Sequence, residues 1–419
     1  MKTQPTRTSL APLILACAVA VAVTTTSARA QIPSEYEVTA IIAGFQCGDH
    51  LAAVTPWALN EAGDVAGGVT CGLVQRAFRW TAESGLELIP TPPQTSRSRA
   101  LAINGSKVVG WYDNEQLELG TTGFIYDFET DQFTSLGTLP GGDWSEAHGI
   151  NSKGAIVGFW QNSQVGPRHG FIFENGIMQS LGDDLGTPNS QANDINNDSK
   201  VTGWMGSSPQ IDVRAFIWDD GKVTELPPIP GGFTSEGWTI NNLQDVAGRG
   251  RFFDPDLNAT VWRAFAFIDG EAINLGTLPG IEKSFATGIN DDKTVVGFAQ
   301  IPPLRAFVWK DGKMTALNDL IPPGLGLDFN SAHGINQGGQ IAAMAHSDDL
   351  NATVGLLLSP IQQGIPGDLD GDGQVDVSDF LILLASWGPC DHCENCPPDL
   401  DHDCVVGVSD FLILLANWG

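Results

Sequence analysis

Ser284-Phe-Ala-Thr-Gly-Ile-Asn290, followed by Gly297, Ala306-Phe-Val-Trp309 and Asp311-Gly312, is one copy of a unit that fills most of this 419-residue chain. Working outward from it, an Ile/Leu-Asn pair recurs with its Asn at 60, 104, 151, 196, 241, 290 and 336, spaced by 44, 47, 45, 45, 49 and 46 residues. A glycine follows at 67, 110, 158, 203, 248 and 297, and Ala343 takes that place in the last copy. Next comes a small-aromatic stretch: Ala77-Phe-Arg-Trp80, Gly123-Phe-Ile-Tyr126, Gly170-Phe-Ile-Phe173, Ala215-Phe-Ile-Trp218, Ala264-Phe-Ala-Phe267 and Ala306-Phe-Val-Trp309. Asn175-Gly176, Asp220-Gly221, Asp269-Gly270 and Asp311-Gly312 then mark two-residue hairpin turns. Each unit reads as four short strands with no helical period, which is the pattern of a β-propeller blade.

The ends of the repeat predict a closed ring. The last unit stops at Leu358-Ser-Pro360 after three strands, and Tyr36-Glu-Val-Thr-Ala-Ile-Ile42 is a strand left over at the start. Joining the two completes a seventh blade and removes the open sheet edge. The expected fold is therefore all-β over 31–360, a seven-bladed propeller of four-stranded repeats.

One identical residue per unit argues for structure, so the repeat asparagines are assigned to the turn between the first two strands. The residue three places before each Asn is different. Trp57, Leu101, His148, Asn193, Trp238, Thr287 and His333 vary in identity while their neighbours are mostly Ala or Gly. If this strand is the innermost, Trp57, His148, Trp238 and His333 rim the central channel and are the candidate ligand-binding residues, for a carbohydrate or a protein. No nucleophile elbow, zincin helix, phosphate loop or dinucleotide fingerprint occurs, and no acid pair stands out as catalytic.

The S-x-A-x-x-I-N, Gly, A-F-x-W and L-G-T-L-P-G-G elements are similar to the HAF family of bacterial extracellular repeats. That resemblance implies an exported repeat protein and assigns no residue a role.

Beyond a short Gly/Pro linker (361–367), the chain carries one acidic segment twice. Asp368-Leu-Asp-Gly-Asp-Gly-Gln-Val-Asp-Val-Ser-Asp379 runs into Phe380-Leu-Ile-Leu-Leu-Ala-Ser-Trp-Gly388, and Asp399-Leu-Asp-His-Asp-Cys-Val-Val-Gly-Val-Ser-Asp410 runs into Phe411-Leu-Ile-Leu-Leu-Ala-Asn-Trp-Gly419. Carboxylates at loop positions 1, 3, 5 and 12 make the oxygen-rich cage that Ca²⁺ prefers. In the first loop the expected ligands are Asp368, Asp370, Asp372, the carbonyl of Gln374, Asp376 and Asp379. In the second they are Asp399, Asp401, Asp403, the carbonyl of Val405 and Asp410. There Cys404 stands where the turn needs glycine and Gly407 removes the ninth ligand, so the second loop is expected to bind more weakly.

The duplicated loop and helix resemble a type I dockerin over 368–419. The resemblance implies a calcium-dependent module that docks on a cohesin-like receptor or cell-surface scaffold. Its receptor-reading positions correspond to Val377, Ser378, Val408 and Ser409. The basic pair common later in such helices is replaced by Leu383-Leu384 and Leu414-Leu415.

Residues 1–30 read as an export signal, with Lys2 and Arg7 before the apolar run Leu13–Val23 and Ala28-Arg29-Ala30 at the cleavage site. No other stretch is apolar for long enough to span a bilayer. The chain has 21 Lys and Arg against 49 Asp and Glu, for a formal charge of −28. Removal of Lys2, Arg7 and Arg29 makes this −31. Such a surface argues against nucleic acid and anionic lipid as partners and suits cations. Export also favours disulfides. Cys47 and Cys71 are expected to pair, and Cys390, Cys393, Cys396 and Cys404 to form two further bonds in preference to a zinc site. The reading that follows is a secreted binding or scaffold protein displayed through 368–419. The alternatives are an enzyme of polysaccharide breakdown and a cell-surface structural protein.

Overall fold

Seven four-stranded antiparallel sheets follow one another along the chain, each built from one repeat unit. The computed structural model describes residues 36–43, 46–48, 50–114, 120–163, 166–207, 212–300, 303–361, 366–370, 374–390, 396–401 and 403–419. The expected export signal, Asp372 and Cys393 lie outside the described residues. The sixth blade is typical, with strands Ser284–Ile289, Val295–Ala299, Arg305–Lys310 and Lys313–Ala316 in spatial order. Asn175, Asp220, Asp269 and Asp311 have φ between 45° and 52°, and the glycine after each has φ between 81° and 87°. Both central residues of these hairpin turns are thus left-handed, as the Asn-Gly and Asp-Gly pairs require.

The seventh sheet has the order Tyr36–Ile42, Ala352–Pro360, Ile341–Ser347, Leu327–Ile335. The N-terminal strand supplies its outer edge, with Tyr36 opposite Pro360 and Ile42 opposite Gly355. A seven-bladed β-propeller is therefore present, closed in the way the chain ends imply.

Its core is divided among the blade junctions. Seven buried clusters each draw on two neighbouring blades; one of them joins Ala66, Ala77 and Ile89 to Ala100, Val108 and Phe124. Phe78, Phe124, Phe171, Phe216, Phe265 and Phe307 of the small-aromatic strands are fully buried there. The small residue before each Phe lets the next blade approach. In five junctions its N–H donates at 2.9 to 3.0 Å to a buried serine of the following blade (Ser98, Ser145, Ser190, Ser235, Ser284). Each repeat thus carries its own junction, apolar and hydrogen-bonded together.

Two links depart from the all-strand expectation. Helix α1, Gly182–Leu185, and a 3-10 turn, Leu317–Leu320, replace irregular connections. In each, two leucines one turn apart (Leu181 with Leu185, Leu317 with Leu320) are buried, so the coiled link adds to the apolar core. Among the described residues, no helix is long and apolar enough to cross a membrane.

The C-terminal segment forms helices α2, Val377–Ala385, and α3, Val408–Ala416, around a small core of Val375, Leu383, Val406 and Leu414. Phe380 and Phe411 meet at 5.3 Å between ring centroids. The chain after α2 pairs Gly388 with Val406, and the chain after α3 brings the N–H of Gly419 to the carbonyl of Val375 at 3.1 Å. The two halves therefore exchange the same contact.

Candidate functional site

The innermost strand of every blade slips its register by one residue against the second strand. The extra residue is Trp57, Leu101, His148, Asn193, Trp238, Thr287 or His333, in blade order. A β-bulge of this kind re-aims the side chain that it carries, and these seven side chains line the central channel. The bulge also explains the repeat glycine. A Cβ at Gly67, Gly110, Gly158, Gly203, Gly248 or Gly297 would stand 1.9 to 2.1 Å from a carbonyl oxygen of the innermost strand. Blade seven has Ala343 there, and its innermost strand carries a second register slip, between Phe329 and Ser331.

The seven bulge residues form a collar shared by two cavities. One, of about 240 Å³, extends to the turns that hold the repeat asparagines. The other, of about 500 Å³, is walled by Arg168, Gln191, Trp204, Glu236, Arg249 and Phe298. All four candidate ligand residues, Trp57, His148, Trp238 and His333, stand on this collar, with Trp57 and His333 in contact at 4.6 Å between ring centroids.

Trp204, Arg249 and Phe298 were not anticipated. They directly follow the repeat glycines at 203, 248 and 297, as Trp111 and Phe159 follow those at 110 and 158. A large side chain after an obligatory glycine, in a strand otherwise rich in valine, was the available signal.

Two collar groups have displaced proton affinities. Burial pushes the Asp194 carboxyl up to about 6, against hydrogen bonds from the N–H groups of Ile240 (3.0 Å) and Ile195 (2.8 Å) and from the Thr239 hydroxyl. Burial, with a smaller contribution from Arg99, pushes His333 down to about 4, so its ring is neutral at neutral pH. One ring nitrogen of His333 lies 2.8 Å from the Ser331 hydroxyl. The carboxylates of Glu146 and Glu236 are each tied to a basic group, His148 at 3.3 Å and Arg249 at 2.9 Å.

The acidic loops form the second candidate centre. Carboxylate oxygens of Asp368, Asp370 and Asp379 lie within 4.8 Å of one another, and so do those of Asp399, Asp401 and Asp403. No Lys or Arg occurs between 364 and 419, so no basic side chain of the segment offsets this repulsion. The donors are all oxygen and match the needs of a hard cation.

The two loops are organised alike. One oxygen of Asp379 accepts from the N–H groups of Leu369 (2.6 Å) and Asp370 (3.1 Å), the other from that of Asp376 (2.8 Å). Asp410 accepts from Leu400 (2.6 Å), Asp401 (3.2 Å) and Gly407 (2.7 Å). Burial opposes charge on Asp379, but these donors outweigh it and hold its carboxyl below the usual range.

The loops differ at two places. Asp376 caps α2 by accepting from the N–H of Ser378, whereas Gly407 has no side chain to do so for α3. Cys404 has φ of 71°, the left-handed conformation that its place in the loop demands. Gln374 and Val405, the expected carbonyl ligands, are both exposed and directly precede the buried Val375 and Val406.

The cysteines are oxidised. Cys47 bonds to Cys71 and Cys390 to Cys396, and Cys404 is also in a disulfide, which leaves none of these thiols for zinc.

No protein-family model and no curated protein matches the sequence. In shape the chain is similar to the β-propeller domain of the Trilobed protease from Pyrococcus furiosus. The identity is 13% and the TM-score 0.47, over 70% of this chain and 99% of that one. It is also similar to a prolyl endopeptidase, at 11% identity and a TM-score of 0.48, where it covers 74% of this chain and half the length of the peptidase. Virginiamycin B lyase from Staphylococcus aureus is similar at 12% identity and a TM-score of 0.43, over 72% and 94% of the two chains. At this distance, nothing of their chemistry is carried over.

Proposed function

We propose that this is a secreted binding or scaffold protein, a HAF-type propeller displayed through a dockerin-like module at 368–419. In that reading Asp368, Asp370, Asp372, Gln374, Asp376 and Asp379 hold one Ca²⁺. Asp399, Asp401, Asp403, Val405 and Asp410 hold a second. Bound cation relieves the repulsion among the carboxylates and links the start of each loop to its helix. Because an unfolded loop cannot gather these ligands, binding stabilises the module.

The observation that carries the reading is a duplicated apolar stripe. Val377, Leu381, Leu384 and Trp387 are 44 to 60% exposed on and after α2, and Val408, Leu412, Leu415 and Trp418 are 43 to 63% exposed on and after α3. Two identical stripes, each on a helix that begins at an acidic loop, favour one kind of partner met through the same surface. The partner is a cohesin-like receptor or cell-surface scaffold.

The test uses the full chain with the surface fraction of the producing cell, in Ca²⁺ and in chelator. Retention in Ca²⁺ and release in chelator are expected. Leu381→Ser with Leu412→Ser is expected to abolish retention while Ca²⁺ uptake persists. Equal retention in chelator would overturn the reading.

A further inference from the structure

The larger cavity of the channel has a chemistry of its own that does not depend on the C-terminal loops. Trp238 and Phe298, from neighbouring blades, line one wall, with the buried Phe285 packed between them. Trp238 stacks on Phe285 with centroids 6.2 Å apart and 18° between planes, and Phe285 stacks on Phe298 at 4.9 Å and 19°. The polar groups beside it are planar and held in place. Arg249 donates from Nε and Nη2 to the two oxygens of Glu236, at 2.9 and 3.2 Å. Its guanidinium lies over Trp262 at 4.3 Å and over Trp238 at 4.9 Å. Gln191 accepts from Arg168 at 2.7 Å and donates to Asn193 at 2.7 Å, and Asn193 donates to the carbonyl of Gly237 at 2.6 Å.

Each of these groups keeps lone pairs or N–H donors beyond those it uses. Among the described residues, one donor on the collar has nothing to bond. The indole N–H of Trp57 is buried and has no partner.

The charges narrow the ligand further. Arg168, Arg249 and Glu236 leave the wall with a formal charge of only +1, and Glu236 is already held by two donors of Arg249. A cation finds no free carboxylate on this wall. An anion must approach a chain of formal charge −28. What fits is an uncharged molecule with one apolar face and pairs of adjacent hydroxyls. Rigid aromatic faces take the apolar side, and planar forks take two oxygens at once. A volume of about 500 Å³ lies in the range of small-ligand pockets rather than of protein docking surfaces.

We propose that this cavity binds a neutral sugar, with a pyranose face on Trp238 and adjacent hydroxyls on Glu236–Arg249 and Gln191.

The full-length protein is titrated, with tryptophan fluorescence and calorimetry as readouts, against three series of oligosaccharides of two to six units. One series is neutral (gluco-, xylo- and manno-), one carries uronic acids, and one carries free amines. Saturable binding within the neutral series is expected. Gln191→Leu keeps the size and removes both polar atoms of the amide, and should weaken binding about three- to ten-fold. Trp238→Ala should weaken it more than ten-fold. Failure of every neutral sugar to bind, preference for a charged series, or binding indifferent to both substitutions would overturn the proposal. None of these results depends on Ca²⁺ retention, so failure here is separable from failure of the display reading.

Discussion

The side-chain N–H of Asn336 donates to the backbone carbonyl of Asn60 at 3.1 Å, across 276 positions of sequence. It is the closing member of a series. Asn151 reaches the carbonyl of Asn196, Asn196 that of Asn241, Asn241 that of Asn290, and Asn290 that of Asn336, at 2.9 to 3.2 Å. Each asparagine also holds its own turn by accepting from the N–H four residues on, as Asn336 does from Gln340 at 2.9 Å. The belt is interrupted at blade two. There Asn60 reaches Gly105 instead, and Asn104, in a turn one residue shorter, makes neither bond.

That interruption gives a paired prediction. Asn336→Ala leaves the Gln340 N–H unmatched and takes from the Asn60 carbonyl one of two donors, the other being the Gly63 N–H at 3.2 Å, and should cost about 1–3 kcal/mol. Asn104→Ala should cost no more than about 0.5 kcal/mol. Denaturant unfolding of both variants is the measurement. Equal losses would mean that neither the inter-blade bond nor the turn bond of Asn336 contributes to stability.

Closure by the outer strand is tested separately. Tyr36 and Ile42 are each 1% exposed, and Thr39 donates to the carbonyl of Leu357 at 3.0 Å. Tyr36→Ala should therefore destabilise by about 3–5 kcal/mol, as removal of a buried aromatic does. Deletion of 36–42 should lower the thermal midpoint further and leave the edge Ala352–Pro360 open to self-association. A deletion variant that stays monomeric at an unchanged midpoint would refute the closure.

The repeat was legible because it returns the same demands seven times: Asn for the turn, Gly opposite the bulge, Phe for the junction. Even the ring closure followed from counting strands. The bulge itself was not legible, since in a strand as short as Ala53–Leu59 too few residues remain on either side for a one-residue phase shift to stand out; only the varied residue at Trp57 and its equivalents hinted at it. The channel wall was missed for a related reason. Arg249 and Trp204 look like ordinary strand positions until the register is known. The cysteine cluster allowed three pairings, and only folding brings Cys390 to Cys396.

Asp194 gives the fold a pH dependence of defined sign. Its carboxyl stands at about 6 against an ordinary 3.8, so between those values the folded chain holds the proton that the unfolded chain has lost. Stability from this group is therefore greatest at low pH, declines as pH rises through that window, and stays low above it. Asp194→Asn mimics the protonated form. It should exceed the natural protein at pH 8 by at most about 3 kcal/mol and match it near pH 3.5. His333 acts in the opposite sense, losing its contribution as pH falls from 6.5 towards 4. Melting curves of Asp194→Asn and the natural protein across this range separate the two. A difference independent of pH would show that the Asp194 carboxyl binds its proton alike in the folded and unfolded chain.

The two acidic loops, as the proposed Ca²⁺ sites, should be unequal. Cys404 is held at φ of 71°, where a residue with a Cβ costs about 1–2 kcal/mol. Gly407 offers no oxygen where Asp376 offers one, and leaves α3 without the side-chain cap that α2 has. Both effects weaken the second loop, and about 1.4 kcal/mol already corresponds to tenfold in affinity. Against them stands the disulfide at Cys404, which restricts the unfolded loop and limits the loss. Calorimetric titration of the full-length protein should therefore resolve two Ca²⁺ affinities at least about tenfold apart. Asp368→Ala with Asp370→Ala should remove the tighter, and Asp399→Ala with Asp401→Ala the weaker. Equal affinities, or loss of the tighter event with the second pair, would show that backbone strain at Cys404 and the missing ligand at Gly407 do not set the order.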